Sequence, residues 1–164
     1  FPQPSQYAKR AAGKQYAVYS APSDTSFRAA NGKALLSTND WVQVFFEEDG
    51  YLLVQYAISR HQYRIGYIKA DAVSNLSEVA EIGSWANYPA QVLRTSALTD
   101  DPLNSCGAVM TLTAGQQVTY LGQLGQEWAF VETTTAQGQR IRGFVELSEL
   151  NVTRPDDADD NLNG

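Results

Sequence analysis

Short runs of β-forming residues, punctuated by turn residues, organise this chain. Residues 41–46 and 51–58 form two such runs, separated by Glu47-Glu48-Asp49-Gly50, where Asp-Gly supplies the positive φ of a tight hairpin. Residues 117–121 and 128–133 form a second pair, turning through 122–127. In the 51–56 run, Leu52, Val54 and Tyr56 share one face while Tyr51, Leu53 and Gln55 share the other. In 128–133, Ala129, Val131 and Thr133 oppose Trp128, Phe130 and Glu132. Both faces begin apolar and turn polar, the pattern of a strand covered on one side by a core and on the other by a long loop. A final short strand is predicted after each of Gly66 and Gly143, where glycine suits a close backbone approach or a bulge. Residues 20–40 and 94–114, rich in Ser, Thr, Asn, Asp and Gly, read as long excursions with one short strand inside each.

These elements occur twice. Gln62-Tyr63-Arg64-Ile65-Gly66-Tyr67-Ile68 lies over Gln139-Arg140-Ile141-Arg142-Gly143-Phe144-Val145 at an offset of 77, as Tyr51-Leu52-Leu53-Val54 lies over Trp128-Ala129-Phe130-Val131. One residue shorter, Val42-Gln43-Val44-Phe45 lies over Val118-Thr119-Tyr120-Leu121. Near the start, Ala17-Val18-Tyr19 matches Gln91-Val92-Leu93. The expected organisation is an N-terminal extension (1–15), a first barrel (16–74), a linker (75–89), a second barrel (90–152) and an acidic disordered tail (153–164). In the linker, Leu76, Val79 and Ala80 are spaced for a helical turn, and Trp85 and Tyr88 are placed to wedge between the barrels. Each repeat of roughly 60 residues is small for an independent core but workable for a closed barrel. The fold class is therefore all-β: two tandem small barrels joined by a short linker.

Composition agrees and narrows the function. Hydrophobic residues make up 43% and charged residues 18%, a globular balance. Nine Tyr, six Phe and three Trp against one Met favour strands. No apolar run approaches the ~18 residues needed to span a bilayer, so no membrane span is expected. The net charge of −6 argues against nucleic acid, which demands clustered Lys and Arg. Residues 1–74 carry 8 basic and 6 acidic side chains, residues 75–164 carry 4 and 12, so the two halves present different surfaces. The start, Phe1-Pro2-Gln3-Pro4, hints at removal of a leader, and the single Cys106 leaves no internal disulfide.

The repeats resemble bacterial SH3 domains (SH3b), which open on a segment like V-R-S-G-P-S, carry a W-x-x-V strand and end in G-W-V. The first repeat shows Val18-Tyr19-Ser20-Ala21-Pro22-Ser23, Tyr51-Leu52-Leu53-Val54 and Gly66-Tyr67-Ile68. The second shows Trp128-Ala129-Phe130-Val131 and Gly143-Phe144-Val145, while its opening, Val92-Leu93-Arg94-Thr95-Ser96-Ala97, loses the Gly-Pro step. The resemblance covers about 120 of the 164 residues. It implies an SH3-like barrel fold and an exported or wall-associated binding role in a Gram-positive-type bacterium, with peptidoglycan or a cell-surface protein as partner. We expect a monomer.

Residues that could carry chemistry are few. Cys106 and His61 could suggest a nucleophile pair, but one sits in the second repeat's long loop and the other in a turn of the first. One His and one Cys do not make a closed zinc site. Residues 156–164 superficially resemble a calcium loop, yet counting from Asp157 the sixth position is Leu162 rather than Gly. No catalytic residue, metal site or cofactor is expected, and the chain reads as a non-catalytic protein. Aromatic residues remain as ligand-binding candidates: Trp41, Tyr51, Tyr56, Tyr63 and Trp128, which could equally be core and inter-barrel packing. The first barrel is the better candidate binder, because its slight positive charge suits an anionic wall polymer. The other reading is a structural or protein-interaction adaptor without a small ligand.

Overall fold

The computed structural model describes residues 8–10, 15–37, 41–73, 81–102 and 107–155. Among them the chain is all-β. It runs β1 (Ala8–Arg10), β2 (Tyr16–Ala17), β3 (Leu35–Leu36), β4 (Trp41–Glu48), β5 (Tyr51–Ser59), β6 (Gln62–Lys69), β7 (Tyr88–Val92), β8 (Ser96–Thr99), β9 (Ala108–Leu112), β10 (Gln117–Leu124), β11 (Trp128–Thr134), β12 (Arg140–Glu146) and β13 (Leu150–Val152). A 3-10 turn follows both β6 and β12, at Ala70–Ala72 and Leu147–Glu149. Asp49 and Gly50, both at positive φ, close the β4–β5 hairpin as the Asp-Gly pair predicts. The proposed helical turn at 76–80, Cys106 and residues 156–164 lie outside the described residues.

Strand pairing repeats along the chain. One sheet has the order β1-β4-β5-β6, and the larger sheet, β13-β7-β10-β11-β12-β8-β9, contains the same series as β7-β10-β11-β12. The β4–β5 ladder slips its register between Val44 and Phe46, and the β10–β11 ladder between Tyr120 and Gly122. Both slips are bulges that add a residue, Phe45 in one and Leu121 in the other. Tyr19 bridges to Tyr67, and Thr99 pairs with Phe144.

Those two pairings explain the glycines. Gly66 and Gly143 lie in the middle of long strands rather than ahead of short ones, because another segment crosses directly over each. A Cβ on Gly66 would stand 2.5 Å from Val18 Cγ1, and one on Gly143 would stand 2.8 Å from Leu98 Cγ and 3.0 Å from the Thr99 carbonyl oxygen. The geometry also corrects the N-terminal match. Val18 and Tyr19 correspond to Leu98 and Thr99, not to Val92 and Leu93, since these are the residues that cross the two glycines. The counterpart of β7 is β1, so Ala8–Arg10 belongs to a sheet rather than to an extension. Residues 94–114 hold two paired strands, β8 and β9, instead of one. Tyr88 does not wedge between the halves: it lies in β7, stacked on Tyr120 at 6.0 Å. Arg154, assigned to the tail, packs over both rings, and the Thr153 N–H donates to the Pro89 carbonyl.

Three apolar clusters organise the interior. Val42, Val44, Leu52, Val54, Tyr56 and Ile68 belong to the first, within the N-terminal half. Val92, Leu98, Leu112, Val118, Val131 and Ile141 belong to the second, within the C-terminal half. The third joins Phe45, Phe46, Leu53, Ile65 and Tyr67 to Leu121, Phe130 and Phe144. The opposite face of β5, with Leu53, is therefore covered by the other half of the chain and not by a loop. Each bulge serves this third cluster. At the first it sets consecutive Phe45 and Phe46 into the shared face. At the second, Gly122 leaves the space that Trp85 fills, its ring atoms 3.1 Å from where a Cβ would be. Trp85 meets Phe46 edge-on at 5.4 Å and Phe130 at 5.5 Å, so this linker residue does wedge between the halves.

Inside that apolar seam sits one buried ionic knot. Arg142 Nη1 donates to both Glu48 oxygens at 3.0 and 3.1 Å and to the Tyr67 hydroxyl at 2.9 Å, with Arg142 4% and Glu48 9% exposed. Tyr67 in turn donates to Glu48 at 2.9 Å, and Trp85 Nε1 donates to the other Glu48 oxygen at 3.1 Å. Burial pushes the Tyr67 hydroxyl well above the usual tyrosine range, reinforced by Glu48, so it stays a donor. Glu132 accepts from Arg142 Nε at 2.8 Å and from Arg140 Nε at 2.7 Å. Burial opposes its charge, yet those two guanidinium bonds hold its carboxyl below the ordinary range.

Two stability predictions follow from this seam. Removing one member of a buried pair leaves the other charged and unpaired, so Glu48→Ala and Arg142→Met should each cost about 3–5 kcal/mol. The double variant should cost less than the sum by over ~1 kcal/mol in a urea-unfolding double-mutant cycle. Strict additivity would show that the pair does not act as a unit. Separately, Gly143→Ala should destabilise by about 1–3 kcal/mol through overpacking at the crossing. Gly83→Ala, where a Cβ meets nothing within 4 Å, should stay within about 0.5 kcal/mol.

Candidate functional site

The aromatic candidates separate. Tyr56 is 1% exposed and belongs to the first apolar cluster, so it is core. Tyr51 is half-buried and meets Tyr19 edge-on at 6.0 Å. Tyr63 is 36% exposed on β6, opposite Ala57. Trp41 opens β4 opposite Arg10, and only its backbone is described. His61 is exposed in the β5–β6 turn. Among the described side chains, Tyr56 and Trp128 line different spaces, and no groove is lined by two of these candidates.

Trp128 is placed differently. It is half-buried, packs by one side against the shared apolar cluster, and lines a groove of about 380 Å³ on the C-terminal half. Strands β8, β9, β11 and β12 build this groove, and its walls include Ala97, Ala108, Val145, Glu146 and Glu149. The register of β11 and β12 sets Trp128 directly opposite Glu146. Side chains at such opposed positions share one face with Cβ atoms roughly 4.5–5.5 Å apart, so both leave the sheet on the same side. Glu149, on the 3-10 turn after β12, is tied by Arg94, whose Nε and Nη2 reach it at 2.9 and 3.0 Å. That bidentate bond holds the Glu149 carboxyl below its usual range. Two groove hydroxyls are tied to backbone: Ser96 Oγ donates to the Arg94 carbonyl at 2.6 Å, and Thr99 Oγ1 to Gly107 at 2.9 Å. Sequence reasoning named Trp128 but missed Glu146 and the Ala97 and Ala108 walls. Their strands β8 and β9 lie in a stretch with few β-formers, and only the pairing with β12 brings them beside Trp128.

A second, small space of about 30 Å³ lies between the halves and is lined by Ser20, Tyr56, Arg64 and Asp100 among others. Arg64 reaches Asp100 at 3.0 Å, the Ile65 N–H donates to the Asp100 carbonyl at 3.0 Å, and Gln55 Nε2 donates to Asp101 at 3.4 Å. Burial pushes the Asp100 carboxyl up to about 6, with Asp101 adding to the rise and Arg64 opposing it. Among the described residues no group of three His, Cys, Asp or Glu side chains is arranged to hold a metal ion. None of the described helices is long and apolar enough to cross a membrane.

No protein-family model matches this chain, and no curated protein does. Among solved structures, NlpC1 and NlpC2 from Trichomonas vaginalis align over 93% and 91% of it, at 16% and 14% identity, with TM-scores of 0.36 and 0.35. The chain spans about half the length of each, 47% and 49%. Superposition this loose carries no weight for fold or activity. What the coordinates define is an all-β protein with an aromatic, acidic groove on its C-terminal half.

The raised Asp100 carboxyl sets a pH dependence. The folded protein holds this proton more tightly than the unfolded chain, where Asp titrates near ~4. The contribution is therefore complete below that value and lost as pH rises through about 6. Glu132 and Glu149 run the other way, so the useful quantity is a difference. From pH 4 to 7, the stability of the wild type relative to Asp100→Asn should fall by roughly 1–3 kcal/mol in urea titrations. A flat difference across that window would count against the assignment.

Proposed function

We propose that this chain is a non-catalytic, exported pair of SH3-like barrels that binds peptidoglycan or a peptide at the wall of a Gram-positive-type bacterium. The observation that carries the binding role is the open groove beside Trp128. An indole held against packed aromatics on one side and open to a groove on the other offers a large, rigid contact surface at low entropy cost. The tandem-barrel reading is supported by the repeated pairing order and by an apolar cluster proper to each half. Export and the wall as destination rest on the SH3b-like segments. The charge argument for the first half yields here to geometry, since the groove lined by Trp128 belongs to the second.

A structural or adaptor role is the second reading, favoured by the Glu48–Arg142 tie and the shared cluster, which make the halves a stiff unit. Tyr51 and Trp128 both pack against that cluster, as a spacer requires. The open side of Trp128 weighs toward binding.

Sedimentation with purified Gram-positive peptidoglycan separates the two. The wild type should be retained well above a control protein, and Trp128→Ala should lower retention at least tenfold while its circular dichroism stays native. Retention no better than the control would leave the spacer reading in possession.

A further inference from the structure

We propose that the groove beside Trp128 selects a peptide carrying a primary ammonium group, with Glu146 as its counter-charge and the indole of Trp128 as its apolar and cation-binding face. This rests on the reading of the chain as a binding module and names the chemistry of what the module holds.

The argument begins with register. Trp128 and Glu146 are opposed on β11 and β12, and both line the same groove. A carboxylate and an aromatic ring on the walls of one groove favour a cation twice, through charge and through the ring quadrupole. Glu146 is exposed and its carboxylate accepts no hydrogen bond from a described residue, although the Arg94 guanidinium acts on its charge through space. Glu149 differs, because Arg94 occupies both of its oxygens. Arg94 is bonded to Glu149 and also feels the Glu146 charge, so it is the resident cation with which an incoming ammonium shares this rim.

The surroundings agree in sign. Glu127 and Glu146 together border an adjoining surface recess of about 570 Å³, which extends the negative rim beyond the groove. An anionic polymer segment would be repelled here. An exposed carboxylate on the same groove wall as an aromatic ring accommodates the compact charge of an ammonium. The small walls at Ala97 and Ala108 leave width for an extended peptide backbone, with Ser96 and Thr99 beside it. Against wall material, this chemistry points to an amine-bearing peptide rather than the sugar chain.

The test uses the full chain, labelled with ¹⁵N, and two peptides: Gly-Gly-Lys-Gly-Gly blocked at both ends, and the same peptide acetylated on the lysine Nε. The lysine peptide should shift the Trp128 indole N–H and the Glu146 amide in a saturable way. The acetylated peptide should bind at least tenfold more weakly, and so should the lysine peptide to Glu146→Gln. Affinity should fall as salt rises, because the rim is solvent-exposed. Equal binding of the two peptides, equal binding by Glu146→Gln, or no saturation by the lysine peptide would overturn the proposal. Sedimentation with peptidoglycan keeps the two readings apart. Retention on the wall without any lysine-peptide binding removes only the ammonium assignment. Lysine-peptide binding without retention removes only the wall.

Discussion

Arg142 and Glu48 face each other inside an apolar seam, and the groups around them in that seam keep the pair satisfied. A guanidinium and a carboxylate withdrawn from water are stable only when their remaining donors and lone pairs are used. Here Tyr67, Trp85 and Glu132 use them, and each comes from a different element: β6, the linker and β11. The seam itself exists because β5 and β11 are apolar on both faces. One face of each fills its own half, and the other would be exposed if the halves were apart. They cover one another, with Phe46, Trp85 and Phe130 in series across the junction.

Two devices, each used twice, make this geometry possible. A glycine in β6 and another in β12 let a second segment cross at a distance no side chain would tolerate. A bulge in β4 and another in β10 changes which face the following residues occupy. The copies differ where the halves meet. Phe46 fills the space after the first bulge, Gly122 leaves space after the second, and Trp85 occupies what Gly122 leaves. The repeat is thus close to symmetric in backbone pairing and asymmetric in the side chains that lock it.

The groove inherits its rigidity from the seam. Trp128 stands at the edge of the shared cluster, so its ring is held by the same packing that joins the halves while one side stays open. A preorganised aromatic wall loses little freedom when a ligand arrives. The ion pair of Arg94 with Glu149 pins the rim of the same groove to the turn after β12, while the Glu146 carboxylate accepts no hydrogen bond from a described residue. Stability and recognition therefore meet at Trp128, which packs against the shared cluster and lines the groove.

Much of the strand framework was legible from residue order, because hairpin chemistry and strand composition are local. The Asp49-Gly50 turn and the β4–β5 and β10–β11 pairs depend on neighbours in sequence. The same information indicated that Val54 and Val131 face cores and that Trp85 bridges the halves. Only tertiary structure decided what covers the second face of β5, since an apolar face looks the same whether a loop or another sheet lies on it. It also decided that Tyr56 is core, that β8 and β9 pair beside β12, and that Glu146 stands next to Trp128. Those outcomes depend on registers between strands distant along the chain, set by which bulge and which crossing glycine align them, and no local pattern of residues encodes such a choice.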